Sequence, residues 1–206
     1  YLVWMLIFVI VPLFLVIYFS LTTVEGGVTS FSLANYRKFF EPVYIKVLIR
    51  SINLALISTV FCFVLGYPLA MILASKEMSR KNFLILLFVL PMWMNFLLRT
   101  YAWMTLLERK GLINTFLSFV HLPPMEILYT NEAVILGMVY NFLPFMVLPI
   151  YSVLRKIDPF VIEAAEDLGA NSLTVFLKVI FPLSLPGVVS GITMVFMPAV
   201  STFVIS

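Results

Sequence analysis

The chain has 206 residues, of which 63% are hydrophobic and only 11% are charged, and its mean hydropathy is +1.11. These values exclude a soluble domain, in which about a quarter of the residues carry charge, and a disordered chain, which needs low hydrophobicity and a high net charge. The net charge of +3 is too small and too scattered for a nucleic-acid-binding face, and a single cysteine excludes a disulfide scaffold, so a membrane protein remains.

Long stretches without charged residues indicate where the chain crosses the membrane, because a helix needs about 20 mostly apolar residues to cross the hydrocarbon layer. The first stretch lacks both the short apolar core and the A-x-A-like cleavage site of a signal peptide, so we interpret it as a span. Segment 83–90 is apolar on every side, which favours helices over the alternating strands of a membrane barrel. We predict five spans, at residues 2–22, 51–75, 82–107, 133–154 and 187–206.

The predicted spans contain several prolines and one pair of glycines at a spacing typical of helix packing. Proline removes a backbone donor, and membrane helices tolerate this where a neighbouring helix or a cavity satisfies the freed carbonyl group. The prolines favour a bundle with an interior path, although proline is also common in membrane helices; they are Pro12, Pro68, Pro91, Pro144, Pro149 and Pro198. Gly187 and Gly191 have the small-xxx-small spacing that allows two helices to approach closely.

The basic residues between the spans indicate which ends face the cytoplasm. The short segment 76–81 holds three basic residues, and Lys and Arg close to the ends of spans favour the cytoplasmic side. We therefore expect segments 76–81 and 155–186 inside the cell, and segments 25–50 and 108–132 outside it.

Segment 155–186 carries the signals of two short helices. Asp158 followed by Pro159 is typical of a helix start. The first helix is predicted to end at Gly169, because glycine reaches positive φ without steric cost. A further capping residue, Asn171, starts the second helix. The predicted ranges are 159–168 for the first helix and 172–181 for the second.

The same segment contains Glu163-Ala164-Ala165, three residues, Gly169, nine residues and then Val179-Ile180-Phe181-Pro182. This spacing resembles the EAA motif of the permeases of ABC importers. Val179 and Phe181 stand where the family usually has Ile and Leu, and the other motif positions match. Four further strings resemble the polyamine branch of this family, the spermidine/putrescine importers; they are residues 65–70, 90–95, 97–103 and 143–146.

The spans predict an all-α fold, a polytopic transmembrane helix bundle, and the resemblance implies a single permease domain over residues 1–206. Its coupling-helix loop, residues 155–186, is implied to be cytoplasmic, and the protein is implied to lie in the bacterial cytoplasmic (inner) membrane. The chain begins at Tyr1 and ends within an apolar run at Ser206. We therefore expect it to be part of a longer protein, with five spans visible and a sixth missing after Ser206.

The resemblance also implies partners. Such permeases pair with a second permease, contact two ATPase subunits through the EAA loop and receive substrate from an extracytoplasmic binding protein. The implied ATPase-coupling residues are Glu163, Ala164, Ala165, Gly169 and Pro182. The chain lacks a G-x-x-x-x-G-K-[ST] phosphate loop, so we expect ATP and Mg²⁺ only in the ATPase subunits, and neither a cofactor nor enzymatic activity here. The alternative for helix 159–168 is an amphipathic connector on the membrane surface.

A polyamine cargo implies a path with acidic or aromatic groups, because aromatic faces attract ammonium ions. The predicted spans contain no acidic residue, so we expect the carboxylates to come from the partner permease. The predicted path residues are Trp93 and Asn95 in span three, Tyr140 and Asn141 in span four, and Tyr101 and Trp103 nearer the outer mouth. The alternative for the aromatic residues is a role as anchors at the membrane interface.

Arg99 is the one cation well inside a predicted span. We expect its side chain to extend to the outer surface, because a fixed cation on the path would repel a cationic cargo. A single histidine, His121, cannot build a His-based metal site, and the hydrolase motifs H-E-x-x-H and G-x-S-x-G are absent. The alternative function is a secondary transporter or channel without an ATPase partner, which predicts more ionisable residues within the spans.

Overall fold

The computed structural model describes residues 2–25, 28–75 and 81–201. This part contains eleven α-helices and one antiparallel pair of strands, which confirms the all-α fold class. Four helical segments in it are long and apolar enough to cross a membrane: Val3–Ser20, Pro42–Ala74, Asn131–Leu154 and Ser172–Ser201. The chain divides into two compact units, Tyr1–Arg50 and Ser51–Ser206.

The first unit begins with a continuous apolar helical run. It consists of α1 (Leu2–Met5), a π-helical turn (Leu6–Ile10) and α2 (Val11–Ser20), in agreement with the predicted span 2–22. None of the side chains from Val3 to Ser20 is buried. Their apolar surface is therefore available to lipid or to another protein.

A hairpin and a short helix follow in the first unit. Strands β1 (Thr22–Glu25) and β2 (Val28–Phe31) pair antiparallel, and α3 spans Ala34–Phe39. The Asn35 side chain holds the connection, because its Nδ2 contacts the backbone oxygens of Phe19, Ser20 and Thr22 at 3.0, 3.3 and 3.1 Å. The last carbonyl groups of a helix lack partners within the helix, so Asn35 caps α2 at its C-terminal end.

Helix α4 (Pro42–Ala74) is longer than the predicted second span, which began at residue 51. The prediction treated Arg50 as a boundary, but a long basic side chain can extend its charged end to water while its stem stays on an apolar helix. The charge therefore does not end the helix. Its start at Pro42 is favourable, because the missing N–H of proline needs no partner in the first turn.

The predicted third span, 82–107, is wrong as a single helix. The segment consists of α5 (Lys81–Val89), a 3₁₀ turn (Leu90–Trp93) and α6 (Phe96–Leu107). Pro91 lies at the start of the turn, where it cannot donate a backbone hydrogen bond and its ring crowds the preceding turn. The Asn95 side chain then accepts a hydrogen bond from Leu97 N at 2.9 Å and caps the new helix.

The remaining helices of the second unit are α7 (Leu112–Phe119), α8 (Asn131–Leu154), α9 (Pro159–Asp167), α10 (Ser172–Val175) and α11 (Phe181–Ser201). Helix α8 matches the predicted span 133–154 and forms the centre of the hydrophobic core. Side chains of α4 and α11 pack against it, and Met146 of α8 is fully buried there.

Met146 is enclosed between glycines of the two neighbouring helices. A Cβ atom placed on Gly66 of α4 would lie 3.0 Å from Met146 Cγ, and one on Gly191 of α11 would lie 2.8 Å from Met146 Sδ. A Cβ atom on Gly187 would lie 2.9 Å from the carbonyl oxygen of Pro149. The predicted packing role of the Gly187–Gly191 pair is confirmed, because the missing side chains allow α11 to approach the backbone of α8.

A polar contact joins α4 to α11. The hydroxyl oxygens of Tyr67 and Ser184 lie 2.8 Å apart, and Ser184 Oγ donates to the carbonyl oxygen of Phe181 at 2.8 Å. Since the hydrogen of Ser184 is used in that bond, Tyr67 is the donor to Ser184. The Tyr67 ring also packs edge-on against Phe176, with ring centroids 5.8 Å apart. Burial of a tyrosine with its hydroxyl satisfied fixes how these helices meet.

Candidate functional site

Helix α9, which contains Glu163, Ala164 and Ala165, has a defined start. Asp158 precedes it in an extended conformation, and its Oδ1 accepts a hydrogen bond from Phe160 N at 3.0 Å. Pro159 occupies the first helical turn, where its missing N–H needs no partner. The structure confirms the helix that these two residues predict.

The end of α9 is fixed by Gly169. This residue has φ +84°, and a Cβ atom added to it would meet nothing within 4 Å, so the constraint lies in the backbone conformation. Gly169 N donates to Glu166 O at 2.8 Å, and Ala170 N donates to Ala165 O at 3.1 Å. These two bonds form a Schellman motif, which satisfies carbonyl groups that the helix leaves free. Helix α9 is therefore closed by hydrogen bonds at both ends.

The predicted second short helix, 172–181, and the separate span 187–206 are wrong as two elements, and residues 202–206 of that span lie outside the described residues. Helix α10, a π-helical turn (Phe176–Ile180) and α11 form one run from Ser172 to Ser201. Phe181 N donates to Phe176 O, five residues earlier. This wide turn lies directly before Pro182, whose ring would clash with the carbonyl group four residues earlier in an ordinary α-helix. The helix therefore continues through Pro182.

One face of α9 exposes large apolar side chains. Phe160 is 73% exposed and Leu168 is 90% exposed, and Ala164 lies midway between them at the spacing that places residues on one helix face. We call Phe160, Ala164 and Leu168 the apolar face of α9. Phe160 and Leu168 were not among the predicted coupling residues, although their spacing of four residues on either side of Ala164 is visible in the sequence.

The opposite side of α9 borders a cavity of about 850 Å³ between the ends of α4 and α8. Glu163 and Glu166 contribute carboxylates to its wall, and Arg155 contributes a cation. Most of the other lining residues are apolar: Met71, Ala74, Leu154, Ile157, Pro159, Ile162 and Ile180. Glu163 thus lies on a different side of α9 from the apolar face, while Pro182 lies 13 residues beyond Gly169 on the following helix.

The six predicted path residues separate into two groups. Trp93 is 81% exposed and Tyr101 is 66% exposed, and Asn95 uses its side chain as the cap of α6. Trp103 and Tyr140 are in contact, with ring centroids 5.2 Å apart and ring planes at 69°. Asn141 follows Tyr140 on α8 and is 4% exposed. The structure therefore brings Trp103, Tyr140 and Asn141 together.

Two cavities flank this second group. The cavity between α6 and α8 has a volume of about 280 Å³ and is lined by Thr100, Trp103, Met104, Leu107, Leu128, Tyr129, Ala133, Val134, Gly137 and Asn141. The other, of about 340 Å³, is almost wholly apolar and is lined by Leu69, Ile72, Leu73, Phe88, Pro91, Tyr140, Leu143 and Pro144. Tyr129 and Thr100 were not among the predicted path residues, because only the folded chain shows that they line the same cavity as Asn141.

Arg99 is half-buried on α6, one turn before Trp103. Its Nε is buried and has no hydrogen-bond partner within the described part of the chain. Arg99 is not among the residues that line the cavity between α6 and α8. The described residues contain no cluster of His, Cys, Asp or Glu that could hold a metal ion.

Comparison with known proteins identifies the family. Residues 26–206 match the family described as "Binding-protein-dependent transport system inner membrane component". The chain is 40% identical over 208 residues to the spermidine/putrescine transport system permease protein PotB of Escherichia coli, covering 98% of this chain and 76% of that protein. Haemophilus influenzae PotB is 38% identical, with coverage of 98% and 73%. The inner membrane ABC transporter permease protein YdcU of Escherichia coli is 28% identical, with coverage of 84% and 60%.

Solved structures of low sequence identity share the fold. A bacterial ABC transporter involved in the import of the acidic polysaccharide alginate has a TM-score of 0.79 at 16% identity, covering 98% of this chain and 71% of that one. The alginate transporter in complex with an alginate pentasaccharide-bound periplasmic protein has a TM-score of 0.72 at 18% identity, with coverage of 91% and 65%. At such identity the likeness concerns the fold alone.

The family confirms several sequence-based predictions. The described helices, the match over residues 26–206 and the relatives agree on a protein of the inner membrane. A binding-protein-dependent system has more than one component, which agrees with the expected multi-subunit importer, and nothing favours a transporter or channel that works alone. The chain belongs to the inner membrane components of binding-protein-dependent transport systems and is a permease subunit of an ABC importer.

Proposed function

We propose that the chain carries polyamines, spermidine or putrescine, and forms half of the translocation path together with a second permease. The observation that supports this cargo is the 40% identity to PotB, a spermidine/putrescine permease, over 98% of the chain. The aromatic contact between Trp103 and Tyr140 beside the buried Asn141 agrees with a cationic cargo, since aromatic faces attract ammonium groups. Trp93, Asn95 and Tyr101 belong to the same proposed path.

The proposed path requires a second permease. A fully charged polyamine needs compensating negative charge in an apolar medium, yet neither cavity beside Trp103, Tyr140 and Asn141 is lined by an acidic side chain. The partner permease would supply the carboxylates. The exposed side chains of Trp93 and Tyr101 are available for the contact between the two permeases, because aromatic residues are enriched at such interfaces.

The movement of the ATPase subunits on ATP binding would be transmitted to the permease through α9. Its apolar face, Phe160, Ala164 and Leu168, is a compact surface that fits a groove on an ATPase subunit, with the small Ala164 allowing close approach. The hydrogen bonds at both ends of α9 favour its movement as a rigid body. In this proposal two ATPase subunits bind ATP and Mg²⁺, and segments 76–81 and 155–186 face the cytoplasm.

The coupling residues have separate parts in the proposal. Ala164 and Ala165 keep one flank of α9 free of bulk, and Glu163 lines the 850 Å³ cavity. Gly169 provides the turn after α9, and Pro182 accompanies the wide turn that joins α10 to α11. An extracytoplasmic binding protein would deliver the cargo to the outer side, as expected for a binding-protein-dependent system.

Uptake by the complete transporter tests the proposal. The full-length protein, co-expressed with its partner subunits and reconstituted in liposomes, should accumulate radiolabelled putrescine or spermidine only when ATP and the binding protein are present. Unlabelled polyamine should compete, whereas an uncharged sugar should not. Accumulation without ATP, or failure of the purified permease to retain any ATPase subunit, would contradict the proposed coupling.

A further inference from the structure

Asn141, which lines the cavity between α6 and α8, carries a buried acceptor that lacks a partner within the described residues. Asn141 is 4% exposed, and its Nδ2 donates to Gly137 O at 2.8 Å. A backbone carbonyl oxygen only accepts hydrogen bonds, so this contact fixes the orientation of the side-chain amide. Asn141 Oδ1 is then the atom without a hydrogen-bond partner within the described residues. A buried acceptor left unsatisfied is costly, and most such atoms in proteins are satisfied.

The chemistry of the cavity wall limits what can bind Asn141 Oδ1. Asn141 Oδ1 accepts hydrogen bonds, so a ligand that binds it must carry a hydrogen-bond donor. The lining carries neither a basic nor an acidic side chain, so nothing in it attracts an anion. Trp103 and Tyr129 contribute aromatic rings, whose faces attract ammonium groups. The other lining residues are mostly apolar and suit a chain of methylene groups.

The size and position of the cavity fit one end of a linear amine. Its volume of about 280 Å³ lies just below the range for sites that hold drug-sized molecules, about 300–1,000 Å³, and suits part of a smaller ligand. Asn141 is the eleventh residue of α8, about 15 Å from the start of the helix at 1.5 Å per residue. Tyr129 lies just before that start. A ligand entering past Tyr129 would therefore reach Asn141 near the middle of the helix.

We infer that the cavity between α6 and α8 is an amine-binding subsite, in which Asn141 Oδ1 accepts a hydrogen bond from one ammonium group of a linear amine. Trp103 flanks the ammonium group, and Tyr129 flanks the methylene chain towards the start of α8. The inference rests on the proposed polyamine cargo and adds to it the atom that recognises the amine. It also predicts that the site prefers a primary amine, because a bulky quaternary ammonium group has no N–H to donate to Asn141.

Substitutions of Asn141 in the complete, reconstituted transporter test this subsite. Asn141→Leu keeps the size of the side chain and removes the acceptor, so the KM for putrescine uptake should rise about tenfold with little change in kcat. Asn141→Asp keeps an acceptor and adds negative charge, so its KM should stay within about threefold of that of the unchanged protein. Thr59→Val is the matched control, because Thr59 is buried on α4 and bonds to Ala55 O at 2.7 Å outside this cavity.

Tyr129 provides a second test that does not depend on a buried position. It is 82% exposed, so its substitution should leave folding intact. Tyr129→Leu should raise the KM severalfold, whereas Tyr129→Phe should not, because phenylalanine keeps the aromatic face. A KM that is unchanged in both Asn141→Leu and Tyr129→Leu would overturn the subsite, and the acceptor would then hold only a buried water molecule.

The two proposals fail in different ways. If the unchanged transporter accumulates no polyamine, the proposed cargo is wrong, and the subsite for that cargo falls with it. If the unchanged transporter accumulates polyamine and the Asn141→Leu and Tyr129→Leu variants both keep its KM, the cargo stands and the subsite is overturned. Competition by tetramethylammonium as strong as competition by butylamine would likewise contradict recognition through an N–H group.

Discussion

Gly169 has a backbone conformation that other residues adopt only under strain, with φ +84° and open space around the position of a side chain. A non-glycine residue in the left-handed region costs roughly 1–2 kcal/mol, and a β-branched residue costs more. We expect Gly169→Val to disrupt the turn after α9 and to abolish uptake while the protein remains in the membrane. The measurement is the initial rate of uptake, normalised to permease in the membrane fraction.

Gly169→Asn is the matched control, because asparagine tolerates the left-handed region better than other side chains. It should retain much of the activity that Gly169→Val loses. Equal, normal uptake in both variants would show that the conformation of this turn does not matter for coupling.

Gly191 of α11 lies against α8, and a Cβ atom there would lie 2.8 Å from Met146 Sδ and 3.1 Å from Met146 O. Because the backbone oxygen cannot move aside as a side chain can, we expect Gly191→Ala to destabilise the protein by about 1–3 kcal/mol. The midpoint of thermal unfolding in detergent should fall. Ser190→Ala, at the exposed neighbouring position, is the control and should change it little. An unchanged midpoint for Gly191→Ala would mean that α11 can move away from α8 at no cost.

Trp93 and Trp103 are both proposed path residues, but their surroundings differ. Trp93 is 81% exposed, whereas Trp103 is half-buried and packs against Tyr140. We expect Trp103→Ala to lower the kcat/KM of polyamine uptake more than Trp93→Ala does. Parallel uptake measurements at equal expression check this order. A larger loss from Trp93→Ala would place the path on the exposed side of the 3₁₀ turn.

Single residues were predictable from sequence where their role depends on near neighbours. Asp158 and Gly169 form hydrogen bonds with residues two or three positions away. Their places before and after the segment 160–168 were therefore sufficient to predict where α9 begins and ends. The unpartnered oxygen of Asn141 was not predictable, because it depends on a cavity formed with Tyr129 and α6. The sequence places Asn141 on the path by its position in span four, and its hydrogen bond to Gly137 is visible only in the structure.

The π-helical turn Phe176–Ile180 accommodates Pro182 within one continuous helical run. Replacing Pro182 with alanine restores a backbone donor and removes the ring, so the turn can relax to a regular α-helix. This would change the rotation of α10 relative to α11. We expect Pro182→Ala to raise the number of ATP molecules hydrolysed per polyamine imported, measured by parallel assays of phosphate release and uptake.

Pro186→Ala is the matched control, because Pro186 lies inside the same helix, one turn further on, without a π-helical turn directly before it. It should leave the ratio of ATP to polyamine nearly unchanged. The same ratio in both variants would contradict a special role for the wide turn.

The helices show what hydropathy can and cannot predict. Helix α8 matched its predicted range, because charged residues stand at both ends of its apolar stretch and the helix begins and ends beside them. Prolines were the difficulty: Pro68 and Pro144 lie inside helices, whereas Pro91 ends one. The outcome depends on whether neighbouring groups satisfy the freed carbonyl and on a cap such as Asn95, and neither is encoded in the hydropathy of the segment. The same reason explains why Ser172–Ser201 is continuous through Pro182.

The orientation of the whole protein follows from the proposed coupling. Asp167 on α9 and Met125 in segment 108–132 are both exposed and should lie on opposite sides of the membrane. Cysteine introduced at position 167 should react with a membrane-impermeant maleimide only from the cytoplasmic side, and cysteine at position 125 only from the outside. The unchanged protein is the control, because its single cysteine, Cys62, is fully buried. Labelling of both positions from one side would reject this orientation.

The unbroken helical run from Ser172 to Ser201 has a thermodynamic consequence. If closure of the ATPase on ATP favours one position of this run, and occupation of the cavity beside α8 favours the same position, the two binding events share one equilibrium. Linkage then requires reciprocity: the factor by which bound nucleotide alters affinity for the amine equals the factor by which bound amine alters affinity for the nucleotide. In that case the permease would set how tightly the proposed ATPase subunits hold ATP.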